Sequence, residues 1–135
     1  MTDLGTFGGF MSEAFSINNA GQVVGEAMTP SYQIHAFLYS GGGMTDLGTL
    51  GGAHSHAYGI NNLGQVVGTA TTAQGIDHAF LYSDGAMVDL NDRLPADSDW
   101  LALTQAKSIN DNGLIAGTGI TSSGLTHAFV LDIKS

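Results

Sequence analysis

The stretch Gly59-Ile60-Asn61-Asn62-Leu63-Gly64-Gln65-Val66-Val67-Gly68 decides the architecture, because the chain carries it more than once. It occurs nearly unchanged as Ile17-Asn18-Asn19-Ala20-Gly21-Gln22-Val23-Val24-Gly25 and more loosely as Ile109-Asn110-Asp111-Asn112-Gly113-Leu114-Ile115-Ala116-Gly117. Working outward, Met1–Gly43 and Met44–Ala86 align without a gap and agree at well over half of their positions. A third copy, Met87–Ser135, is more divergent. It keeps Asp89-Leu90 and His127-Ala128-Phe129 and carries an insertion around LNDRLPADSDW. Internal repetition of this kind marks a protein built by stacking one supersecondary unit.

Each copy predicts the same set of strands. Two short apolar runs flank an Asn-x-x-Gly turn, where Asn and Gly supply the left-handed backbone positions of a tight hairpin. A second hairpin follows, His35–Tyr39 to Met44–Leu47, and again His78–Tyr82 to Ala86–Leu90. That gives about four strands per copy, at the spacing of roughly 8–12 residues expected of an all-β protein. The strands Gln22-Val23-Val24-Gly25 and His35-Ala36-Phe37-Leu38-Tyr39 do not alternate apolar with polar, which predicts cover on both faces. Gly25, Gly68 and Gly117 close the same strand in each copy, where a side chain would crowd a neighbouring backbone.

A four-stranded sheet with neighbours on both faces suits a β-propeller blade. The expected fold is therefore all-β: a single domain over 1–135, made of three four-stranded repeats (1–43, 44–86 and 87–135). Three blades are fewer than the roughly 4–8 of an ordinary propeller. The last His-Ala-Phe strand lacks the Met-x-Asp-Leu strand that follows the others, and Met1–Leu4 is unmatched at the other end. Pairing Met1–Leu4 with His127–Leu131 of a second copy would close a six-bladed homodimer and remove an exposed edge. The alternative is a three-fold β-trefoil or β-prism monomer.

Composition bounds the partners. Twelve acidic residues against three basic ones give a net charge of -9, which argues against nucleic acid. No apolar run is long enough to span a bilayer as a helix. The N-terminus has neither the basic start nor the apolar segment of a signal peptide. Met1 has the repeat phase of Met44 and Met87, as at the end of a longer array or a start at an internal methionine.

The runs Asp46-Leu47-Gly48-Thr49-Leu50-Gly51-Gly52, Gly59–Gly68 and His78-Ala79-Phe80-Leu81 closely resemble the HAF-type repeat, a bacterial family named for its His-Ala-Phe triplet. Copy three resembles the terminal repeat of such arrays. The resemblance implies an extracellular or cell-envelope setting and no particular chemistry.

Candidate chemistry is sparse. His35, His78 and His127 recur in every copy and read as architecture. His54 and His56 occur only in copy two, and Glu13 is the copy-one counterpart of His56. These three are the candidates for proton transfer or metal ligation. Asp92, Asp97 and Asp99 cluster in the insertion, as carboxylates do around calcium, without the EF-hand spacing. Trp100 beside them is a candidate stacking platform for a ligand, or the cap of the last repeat. No Gly-x-Ser-x-Gly elbow, cysteine nucleophile or phosphate loop is present. Two functions follow as expectations. The first is a binding or scaffold module for a partner, small molecule or glycan. The second, by fold analogy alone, is a calcium-dependent hydrolase of lactonase type using metal-activated water.

Overall fold

The computed structural model describes residues 1–134 and is all-β, as expected. The first sheet joins β1 (Ser12–Ile17), β2 (Val23–Met28), β3 (Ile34–Ser40) and β4 (Gly43–Asp46) in that order. The second joins β5 (Gly51–Ile60), β6 (Val66–Thr72), β7 (Asp77–Ser83) and β8 (Ala86–Asp89). The third has only three strands, β9 (Trp100–Ile109), β10 (Leu114–Thr121) and β11 (Thr126–Asp132). All neighbours are antiparallel.

The expectation of four strands in every repeat is corrected here, for a topological reason. β4 and β8 come from the Met-x-Asp-Leu heads of copies two and three, so each sheet borrows its fourth strand from the following copy. β11 has no such follower and forms a sheet edge. Met1–Leu4 forms no strand, and the insertion in copy three folds partly as one 3-10 turn, Leu90–Arg93.

The β-trefoil or β-prism alternative is also corrected. Hydrogen bonding leaves three separate sheets, the first and third do not pack on each other as a three-fold closure requires, and among the described residues no closed barrel or propeller forms. Instead the sheets stack in chain order: β5 packs across β1, β2 and β3, and β9 across β5, β6 and β7.

Two cores glue the stack. Val24, Ala36 and Leu38 of the first sheet meet Ala57, Ile60 and Val66 of the second, with Phe80 and Leu47 alongside. Val67, Ala79 and Leu81 of the second sheet meet Ala106, Ile109 and Ile115 of the third, with Leu90, Leu103 and Phe129. The adjacent residues Val66 and Val67 thus serve opposite faces, as the pleat requires.

Backbone chemistry explains the repeated glycines. A Cβ on Gly25, Gly68 or Gly117 would fall on the carbonyl oxygen of Glu13, His56 or Gln105 in the adjoining strand. Each of these adjoining strands carries a register shift at that point. The β3–β4 and β7–β8 turns use left-handed residues at both centres, Gly41-Gly42 and Asp84-Gly85, as two-residue hairpins demand.

The Asn-x-x-Gly turns work differently from expectation. Only Gly21, Gly64 and Gly113 take the left-handed conformation. Asn18, Asn61 and Asn110 act through their side chains. Asn61 Oδ1 accepts from the backbone N–H of Leu63 and of Gln65, and Asn18 and Asn110 do the same in their own turns. Their amide groups also reach the next repeat. Asn18 Nδ2 donates to the Asn61 carbonyl at 3.0 Å, and Asn61 Nδ2 to the Asn110 carbonyl at 3.0 Å. Beside them, Asn19 N–H donates to Asn62 Oδ1 and Asn62 N–H to Asp111 Oδ1, both at 2.8 Å. The Asn62 backbone bond, then its side-chain bond, holds the Asp111 carboxyl below its ordinary range. One polar ladder therefore runs the length of the stack.

Candidate functional site

Equivalent positions on the first strands of the three sheets differ in chemistry while their surroundings repeat. Glu13, His56 and Gln105 form one such set; Phe15, Tyr58 and Lys107 form another. Neighbours in the second set touch across the stack. Phe15 and Tyr58 have ring centroids 5.6 Å apart, and the Lys107 ammonium lies 4.1 Å from the centre of the Tyr58 ring. His56 stacks nearly parallel to Tyr58, at 5° and 6.3 Å. Burial, then the Glu26 and Asp77 carboxylates, push the Tyr58 phenol above its usual range, so it stays protonated through neutral pH.

The two histidines unique to copy two, His54 and His56, lie on β5, and their partners set their tautomers. His56 Nδ1 is 2.8 Å from Glu26 Oε1 across the sheet-to-sheet boundary. A neutral imidazole donating there leaves the Nε2 lone pair for a ligand. His54 Nδ1 accepts from the Ile34 N–H at 3.1 Å, which puts the proton of neutral His54 on Nε2. One ring thus offers an acceptor and the other a donor.

Glu13 faces Glu26 in the β1–β2 register but is not the partner of His56. Glu26 was missed from sequence. The signal was present, since Glu26 interrupts an otherwise shared Val-Val-Gly-x-Ala run in which copy two has Thr69. Asp92 lies in the 3-10 turn, and Asp97 and Asp99 in the loop before β9, all exposed. Among the described residues, no three His, Cys, Asp or Glu side chains gather in a way that could hold a metal ion. Trp100 opens β9 half-buried, edge-on to His127 at 6.4 Å and to Phe129 at 6.1 Å, against the outer core.

The repeated histidines have a definite partner. His35 Nδ1 sits 2.8 Å from Asp46 Oδ2, and His78 Nδ1 2.6 Å from Asp89 Oδ2, each tying the third strand to the borrowed fourth. The other carboxylate oxygen caps the turn that follows, at Gly48 and at Asn91. Burial works against Asp89, but the bonds from His78 and from the Asn91 side chain and backbone outweigh it and hold the carboxyl below its ordinary range.

Fold and site together define a repeat-built stack of antiparallel sheets with one chemically varied face. A family model matches residues 45–127, and the chain belongs to that family, described as a protein of unknown function, DUF3466. Neither the curated proteins nor the solved structures yield a match.

Proposed function

We propose that the chain is a binding module that takes a hydroxyl-rich ligand such as a glycan on the first-strand face. The observation that carries this reading is the pairing of opposite exposed functions beside an aromatic surface. His56 offers a lone pair beside Tyr58 and the partly exposed ring of Phe15, and His54, two residues before it on β5, offers an N–H. A sugar hydroxyl both donates and accepts, and the C–H face of a sugar ring packs on an aromatic side chain. None of these side chains recurs in copy three, whereas the Asn ladder and the His-Asp pairs are copied. An extracellular or envelope setting, as the HAF-type resemblance implies, is part of the same reading.

The test is calorimetric titration with a panel of neutral oligosaccharides. The wild-type chain is expected to bind at least one of them. His56→Ala and Tyr58→Ala should each weaken that sugar about tenfold, roughly 1.4 kcal/mol, without changing the melting temperature by more than a few degrees. Absence of binding across the panel, or variants that bind like wild type, would remove this assignment.

A further inference from the structure

The two ends of the stack are the two halves of an interface that the chain already builds twice. At the trailing side of each inner interface stand Val24, Ala36 and Leu38, or Val67, Ala79 and Leu81. The register equivalents on the third sheet are Ala116, Ala128 and Val130, and all three are exposed. At the leading side stand Ala57, Ile60 and Val66, or Ala106, Ile109 and Ile115. Their equivalents on the first sheet are Ala14, Ile17 and Val23. With Leu4, the counterpart of buried Leu47 and Leu90, these line an open groove of about 440 Å³.

The polar groups are left over in complementary pairs as well. Asn61 Nδ2 has the Asn110 carbonyl, but among the described residues Asn110 Nδ2 has no partner and the Asn18 carbonyl receives no side-chain amide. Ala36 N–H donates to Ser55 Oγ, itself anchored on the Gly48 carbonyl. Ser12 is already anchored on the Gly5 carbonyl in the same way and awaits a donor equivalent to Ala128 N–H. His35 and His78 have Asp46 and Asp89. Among the described residues, His127 pairs with no carboxylate, and Asp3, whose Oδ1 already caps Gly5 as Asp46 caps Gly48, pairs with no histidine.

We propose that a second copy of this chain docks head to tail on the first. The Met1–Asp3 segment of one copy becomes the fourth strand beside β11 of the other, and the third His-Asp pair forms as His127 with Asp3. The occupant is fixed by repetition: the apolar contacts, the Asn amide bond and the His-Asp pair are each seen twice inside the chain, the serine bond once, and each has its complement at the two ends. Such an interface is heterologous, so it closes into a ring or continues as an open stack. The inference does not depend on what ligand the first-strand face takes.

Sedimentation of the full 135-residue chain across concentration tests it. Wild type should exceed the 13.9 kDa monomer mass, as a dimer if six sheets close or as larger species if they do not. Ile17→Asp and Val130→Asp replace exposed side chains, 66% and 72% accessible, so each variant should keep the fold by circular dichroism and sediment as a monomer. Mixed one to one, they should re-form a dimer, because Val130 of the first variant and Ile17 of the second still supply one intact interface. A wild type that stays monomeric to about 100 μM overturns the proposal. So does a Val130→Asp variant that assembles like wild type, which would mean like faces meet instead.

Discussion

The second and third sheets contain nearly the same strands and live in different surroundings. Leu81 on β7 is 5% exposed, whereas its counterpart Val130 on β11 is 72% exposed. The first sheet shows the same contrast on its other face, with Ile17 at 66% against Ile60 at 8%. Local sequence sets the strand; position in the stack sets how much that strand contributes. In a quasi-one-dimensional array the stability resides in the repeat interfaces, and the middle sheet has two of them.

The sharpest way to break this comparison is to make the same change in both places. Leu81→Ala in the middle sheet empties a buried site and should cost about 2–5 kcal/mol by urea denaturation. Val130→Ala removes exposed surface and should cost less than about 0.5 kcal/mol at concentrations where the chain is monomeric. Similar costs at both sites would mean the stack does not pack as described.

Smaller effects sharpen the contrast along the ladder. Asn61→Ala removes bonds to its own turn and the bond to the next repeat, and should cost about 2–3 kcal/mol. Asn110→Ala loses only the bonds to its own turn and should cost about 1 kcal/mol. Equal losses would show that the inter-repeat bond adds nothing.

The His-Asp pairs give a pH-dependent version. The Asp89 carboxyl is held below its unfolded value. Its contribution is therefore complete above the unfolded carboxylate range of about 3.9 and is lost as pH falls through the lower folded value. Urea midpoints for Asp89→Asn should lie below wild type at pH 7 and approach it toward pH 2–3. A constant gap down to pH 2 would show that the pair carries no such linkage. The smallest expected effect is that of calcium. With Asp92, Asp97 and Asp99 exposed along the loop, millimolar calcium should move the melting temperature by less than about 1 °C; a rise of about 5 °C or more would restore a bound ion.

Much of the fold was legible because repetition amplifies weak local signals. The all-β class, the hairpin turns and the crowding at Gly25, Gly68 and Gly117 all follow from positions seen in every copy. Cover on both faces holds for the second sheet alone. The sequence of β11 resembles that of β7, and nothing local records that its outer face stands exposed. The left-handed role expected of Asn18 and Asn61 failed for another reason: an Asn in a turn signals either backbone freedom or side-chain bonding, and sequence alone does not tell the two apart. The candidate site was half legible. His56 stood out because it was unique to copy two, but its partner Glu26 lies 30 residues earlier and becomes adjacent only when the sheets stack.

The borrowed fourth strand bears on how such a protein lengthens. The seam between sequence copies falls inside a sheet, yet copies two and three each supply the same missing strand to the one before. An in-phase crossover between two gene copies, wherever it lands within the unit, therefore yields whole sheets with a ladder that still connects. Loss of residues 44–86 would join β3 directly to Met87-Val88-Asp89, with His35 now opposite Asp89. A change in copy number by recombination thus keeps the strand register, while the residues that differ between copies remain free to diverge.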